Sequence, residues 1–99
     1  MISQNQIKFL CSLEKKKFRT LENQIVLDGH RLIEEAIKQK INIHHIWISE
    51  NKKISKNFIK DIELNNIDYS FEKEKDLNKI SNTKNSQGIL ALISIDKIY

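Results

Sequence analysis

At 99 residues the chain holds one domain at most. Charged residues make up 30% and hydrophobic ones 39%, a balance that excludes disorder, and no window approaches the run of apolar residues that a transmembrane helix needs. The net charge of +4 sits in the first twenty residues, which hold five positive side chains (Lys8, Lys15, Lys16, Lys17, Arg19) against one negative, Glu14, whereas residues 21–99 hold twelve of each sign.

Such a local excess favours a polyanionic partner, nucleic acid first. The alternative is a solvated helix face in a chain rich in Lys, Ile and Asn. The opening residues, M-I-S-Q-N-Q-I-K, lack the apolar core of a signal peptide, and the single cysteine, Cys11, cannot form an internal disulfide. The expected location is the cytoplasm, with no membrane partner.

Ile7 to Lys17 reads as a helix with Ile7, Leu10 and Leu13 on one stripe and Ser3 or Asn5 as its cap. Lys15, Lys16 and Lys17 fall in its last turn or just beyond, where the helix dipole alone favours them. Phe18 is expected to pack back onto the core. Gln24 to Leu27 is a short strand covered on both faces. Asp28 is placed to cap the next helix, and Gly29 allows a close backbone approach. That helix runs to about Lys40, with Leu32, Ile33, Ala36 and Ile37 inward and a Glu34–Lys38 pair outward.

Ile43 to Ile48 is the next strand. Strict alternation puts Ile43, His45 and Trp47 on one face and His44, Ile46 and Ile48 on the other. Ser49 to Lys53 reads as a polar connection. Ile54 to Asn65 is a helix with Ile54, Phe58, Ile59 and Ile62 at core spacing, ended by Asn65-Asn66. Ile67 to Phe71 is a strand, and Lys73 to Ser81 a short helix presenting Leu77 and Ile80. Asn82 to Gln87 is a polar loop. Ile89 to Ile95 is the most continuously apolar run and should be a central strand. This strand–helix alternation predicts a largely parallel four-stranded sheet with helices on both faces.

Several kinds of chemistry are absent. The only glycines, Gly29 and Gly88, are too far apart in sequence to build a phosphate loop or a dinucleotide fingerprint. His44 and His45 are neighbours on a strand and point to opposite faces, so no metal site is expected. Cys11, on an apolar helix face, reads as a small core residue before it reads as a nucleophile. Glu34 and Glu35 splay apart around their helix. No catalysis is expected from these residues alone.

Positive and polar groups gather at Lys15–Arg19, at His30 and Arg31 on the first turn of a helix, and in the loop Thr83-Lys84-Asn85-Ser86-Gln87. Ligands of open α/β sheets bind outside the carboxyl ends of parallel strands. The Asp28–Arg31 turn follows such an end, but the 83–87 loop precedes a strand, and only the topology decides whether the two share a surface. Fifteen lysines accompany just two arginines, Arg19 and Arg31. Guanidinium binds phosphate bidentately and stacks on unpaired bases, so these two are the better candidates for specific contacts. A plain surface pair of Arg31 with Glu35 is the competing reading. Trp47 reads as core.

Taken together, K-K-K-F-R, V-L-D-G-H-R-L-I-E-E-A-I-K, H-I-W-I-S-E and L-N-K-I-S-N-T-K-N-S-Q-G-I-L-A resemble the N-terminal substrate-binding domain of SpoU-type (TrmH-like) RNA 2′-O-ribose methyltransferases. That family reads lysine–any–arginine, a strand, an acidic residue with glycine, Arg-Leu opening a helix, and later Thr…Pro-Gln-Gly before an apolar strand. Here the positions are Lys17 and Arg19, Asp28 and Gly29, Arg31 and Leu32, and Thr83 with Gln87 and Gly88. Asp28 replaces the usual Glu, and Ser86 the usual proline.

The resemblance implies a small three-layer α/β/α sandwich shared with ribosomal kink-turn-binding proteins. It implies an RNA-binding role for Lys15, Lys16, Lys17, Arg19, His30, Arg31, Thr83, Lys84, Asn85 and Gln87, with Gly29 and Gly88 as scaffold. It implies one substrate-binding domain over residues 1–99, and a knotted catalytic domain that is not among them. No cofactor is expected within these residues. S-adenosylmethionine would serve the full-length enzyme, which would be a homodimer, although this domain alone could be a monomer. The expected partner is RNA, rRNA ahead of tRNA. The alternatives are a stand-alone ribosomal kink-turn-type RNA-binding protein and a protein-interaction domain.

Overall fold

The computed structural model describes residues 2–13, 15, 17, 22–80 and 88–94. In chain order its elements are α1 (Gln4–Ser12), β1 (Gln24–Asp28), α2 (His30–Lys38), β2 (Ile43–Ser49), α3 (Lys56–Leu64), β3 (Tyr69–Glu72), α4 (Glu74–Ile80) and β4 (Ile89–Ser94). Each boundary has a local cause. Ser3 caps α1 in a reciprocal box with Gln6. Ser55 caps α3 by accepting from the Phe58 N–H at 3.2 Å, and Asn66 follows it at a φ of 56°.

The strands form one sheet in the order β1-β4-β2-β3. β2 pairs with β3 in parallel, but β4 lies antiparallel to both β1 and β2. The sheet is therefore mixed, not largely parallel as the alternation predicts. The chain leaves β3 at the end of the sheet where β2 also ends, Glu72 beside Ser49, and β4 begins at that same end, Ile89 beside Ile48. It thus re-enters the sheet from the end that it left, and β4 runs backwards.

Helices cover both faces. On one, α2 and α3 pack Ile33, Ala36, Phe58 and Ile62 against Ile43, Ile46, Ile48, Ile89, Ala91 and Ile93. On the other, α1 and α4 bring Ile7, Leu10, Leu13, Leu77 and Ile80 against Trp47 and Leu90. Burying each of the isoleucine, leucine and phenylalanine side chains among them stabilises the fold by about 1.5–3 kcal/mol. Trp47 is core, as its strand position predicts. Cys11 packs against this second cluster, with its thiol 3.1 Å from the Lys79 carbonyl oxygen.

Some predicted placements differ. Ile43 shares a face with Ile46 and Ile48, because a bulge between Ile43 and His45 inserts one residue into β2 and breaks the alternation. Leu32 is 54% exposed instead of packed in the core. The apolar stripe of α2 is narrower than the sequence implies, with Ile33 and Ala36 at its centre. Helix α1 ends at Ser12 with Leu13 as its cap, and no basic residue lies in its last turn. Lys15 and Lys17 are exposed beyond it, so the dipole does not account for them. Phe18 lies outside the described residues.

A polar chain crosses one edge of the sheet. Ser70 Oγ donates to Glu72 Oε2 at 2.7 Å, which leaves it to accept from His45 Nε2–H at 2.8 Å. The Ile2 N–H donates to Glu72 Oε1 at 2.8 Å, so this carboxylate, 3% exposed, is engaged at both oxygens. Serine stands between the acid and the imidazole, an order that ties elements together and generates no nucleophile.

Burial holds the His45 imidazole below its ordinary value of 6.5, against the raising influence of Asp68 and Glu72. The folded state therefore keeps His45 neutral while the unfolded chain takes up a proton first. Stability present above about pH 6.5 should be lost as the pH falls through that value. Urea midpoints at neutral and mildly acidic pH check this: the drop should shrink in His45→Gln, and an equal drop in the variant would contradict it.

Candidate nucleic-acid interface

The two glycines lie 59 positions apart in sequence and meet at one end of the sheet. Gly29 follows β1 at φ 125°, ψ 145°, a region that side-chain-bearing residues avoid, and its N–H donates to the Ile89 carbonyl at 3.1 Å. Gly88 precedes β4 at φ 73°, and its carbonyl accepts from the Ser49 N–H at 2.7 Å. A Cβ on Gly88 would lie 3.1 Å from Ser49 Cβ and 3.6 Å from Lys52 Cδ. The reversed strand thus brings the entry to β4 against the turns that end β1 and β2. The 83–87 loop has its downstream anchor on the same edge as the Asp28–Arg31 turn.

Helix α2 starts at this edge. Its N-cap is Gly29, not Asp28, and makes no side-chain cap hydrogen bond. The first helical bond runs from the Ile33 N–H to the Gly29 carbonyl at 3.2 Å, so the preceding amides of the turn have no partner within the helix. Arg31 is exposed and, among the described residues, makes no ion pair. Glu35, its suggested partner, instead accepts from Gln39 Nε2 at 3.0 Å. His30 is turned inward: its ring sits 4.3 Å from that of Phe58, and its Nε2 lies 2.8 Å from Glu34 Oε1. That contact replaces the expected Glu34–Lys38 pair. His30 fastens α2 to α3, and Arg31 is left as the outward-facing cation of the turn.

Of the other predicted positions, Lys15 and Lys17 are exposed in the connection from α1 to β1. Lys16, Arg19, Thr83, Lys84, Asn85 and Gln87 lie outside the described residues. Sequence reasoning missed Lys52, whose stem lines Gly88 from the β2–α3 connection. The connection reads as generic polar linker, and only the pairing of β4 with β2 makes it a neighbour of Gly88. Among the described residues no group of His, Cys, Asp and Glu could hold a metal ion. No helix there is long and apolar enough to cross a membrane.

Scaffold and outward-facing residues of this edge separate by their response to substitution. Gly29→Ala and Gly88→Ala should each lower stability by about 1–3 kcal/mol, because both place a side chain at positive φ. Arg31→Ala should stay within about 0.5 kcal/mol of the parent. Chemical denaturation of the three variants checks the contrast.

Comparison with known proteins agrees with this architecture. The chain superposes on an RNA 2′-O ribose methyltransferase with a TM-score of 0.77 at 23% identity, over 96% of this chain and 36% of that one. For an AdoMet-bound rRNA methyltransferase from Sinorhizobium meliloti the values are 0.74, 15%, 97% and 36%. For the SpoU methyltransferase AviRb from Streptomyces viridochromogenes, in complex with AdoMet, they are 0.78, 11%, 95% and 36%. At such identities the likeness is one of fold, and the chain spans little more than a third of the length of these structures. Comparison with curated proteins gives no match. The family model of the MRM3-like substrate binding domain matches residues 4–91, and the chain belongs to that family.

Proposed function

We propose that this domain binds RNA and presents it for ribose 2′-O-methylation by a catalytic domain of the same enzyme. The observation that supports the reading best is the meeting of Gly29 and Gly88 at one sheet edge, beside an exposed Arg31 that makes no ion pair among the described residues. A guanidinium at the opening of a helix suits phosphate and unstacked bases. In this reading Arg31 and Gln87 meet bases or sugar, and Thr83, Lys84 and Asn85 extend the same edge. Lys15, Lys16, Lys17 and Arg19 meet phosphates further along the RNA, and His30 supports Arg31 from behind.

The proposal carries the finer expectations of the sequence. The RNA is structured, and ribosomal before transfer. The fold is kin to that of ribosomal kink-turn-binding proteins. The full enzyme is a homodimer that uses S-adenosylmethionine, with donor and chemistry both supplied by the catalytic domain. The domain described here contributes recognition only. It works in the cytoplasm.

Titration of the 99-residue chain with a transcribed, structured rRNA fragment and with a tRNA tests the reading. Affinity should fall about 10- to 100-fold between about 50 and 200 mM salt, because neutralised phosphates release counterions. Arg31→Glu should weaken binding at every salt concentration. Absent or salt-independent binding would refute RNA recognition. Equal affinity for both RNAs would refute the ribosomal preference.

A further inference from the structure

We infer that the turn between β2 and α3, through Lys52 and Lys53, is a third segment of the RNA-binding edge; the inference rests on the proposed RNA recognition and adds a phosphate-binding element to it. The sheet order carries the argument. Gly29 ends β1, Gly88 opens β4 and Ser49 ends β2, and β4 lies between the other two. At the usual strand spacing the two outer turns stand about 10 Å apart, with the entry to β4 between them. Any polyanion laid across that entry passes over both outer turns.

The chemistry of the β2–α3 turn fits that role. Ser49, 2% exposed, anchors it: its Oγ accepts from the Asn51 N–H at 3.2 Å, and its carbonyl accepts from the Lys52 N–H at 3.1 Å. The Lys52 stem lies along Gly88, with its Cβ and Cδ 3.8 and 3.6 Å from where a glycine Cβ would be. The stem is thereby half-buried while the ammonium ends beyond it, the arrangement that lets a lysine present charge from a fixed base. Lys53 beside it is exposed, and among the described residues neither ammonium has an ion pair. Acidic neighbours are present but already engaged or outnumbered. Glu74 accepts from Asn51 Nδ2 at 3.2 Å, and the exposed Glu50 is outnumbered by Lys52, Lys53 and Lys56 within the same short segment. The absence of a side chain at Gly88 therefore seats Lys52 at the entry to β4, between two cationic turns.

Binding of the same rRNA fragment by the 99-residue chain tests this with four variants: Lys52→Gln/Lys53→Gln, Lys52→Glu/Lys53→Glu, Arg31→Glu, and Lys60→Glu on the outer side of α3 as a control. The glutamine pair should bind about 5- to 20-fold more weakly at low salt, and the slope of log affinity against log salt should fall by about one to two. The glutamate pair should bind more weakly still, with an unchanged circular dichroism spectrum, and Lys60→Glu should stay within about twofold of the parent. If Arg31→Glu weakens binding and both lysine pairs leave it unchanged, the third segment is refuted while RNA recognition stands. If Lys60→Glu weakens binding as much as the lysine pairs, the effect is one of net charge and the assignment fails. If the parent chain binds no RNA, the functional reading itself falls.

Discussion

β4 enters the sheet where β1 and β2 end and runs between them in the opposite direction, so its first residues must pass both of the turns that follow those strands. Two consequences are forced by that crossing. Backbone must approach backbone closely enough for the Gly29 N–H to reach Ile89 and for the Ser49 N–H to reach Gly88. Both of the chain's glycines are spent there, at backbone angles that other residues adopt only with strain. The turns that follow β1 and β2 then share one edge with Gly88, and Arg31 and Lys52, remote in sequence, both belong to that end of the sheet. Reversing β4 would carry Gly88 to the opposite edge.

The two faces contribute differently to that edge. On the side of α2 and α3, branched aliphatic residues of β2 and β4 make a layer against Phe58, and His30 closes its upper end by resting on the Phe58 ring. On the side of α1 and α4, Trp47 and Leu90 fill the centre, and the chain of hydrogen bonds from His45 through Ser70 to Glu72 secures the start of α1. The sheet beneath that rim is held from both sides, and among the described residues Arg31, Lys52 and Lys53 make no ion pair there.

Much of this was legible in the sequence, and for identifiable reasons. Helical spacing in α2 and α3 and the unbroken apolar run of β4 are local patterns, and local patterns set the element order. The family resemblance rested on short motifs whose order survives even where each is weak. What escaped was non-local. The direction of β4 depends on the end at which the chain re-enters the sheet, which hydrophobic periodicity does not encode. The bulge in β2 moved Ile43 to the face of Ile46, since one inserted residue shifts the side-chain alternation. Leu32 looks like core because it borders Ile33, yet it lies just outside the arc that reaches the sheet. Lys52 carried no signal at all, because its place on this edge comes from a neighbour 36 residues away in sequence.

The place of β4 also bears on how the chain acquires its structure. Among the described strands it is the last to leave the ribosome, yet it holds the middle of the sheet, and β1 has no other ladder partner. A nascent chain that has reached α4 can pair β2 with β3 but leaves β1 without hydrogen-bonded neighbours. Such long-range closure is slow and exposes an unsatisfied edge while it waits. Folding should therefore be a single late event, completed when the final strand slides between two segments already in place, with no stable half-domain on the way.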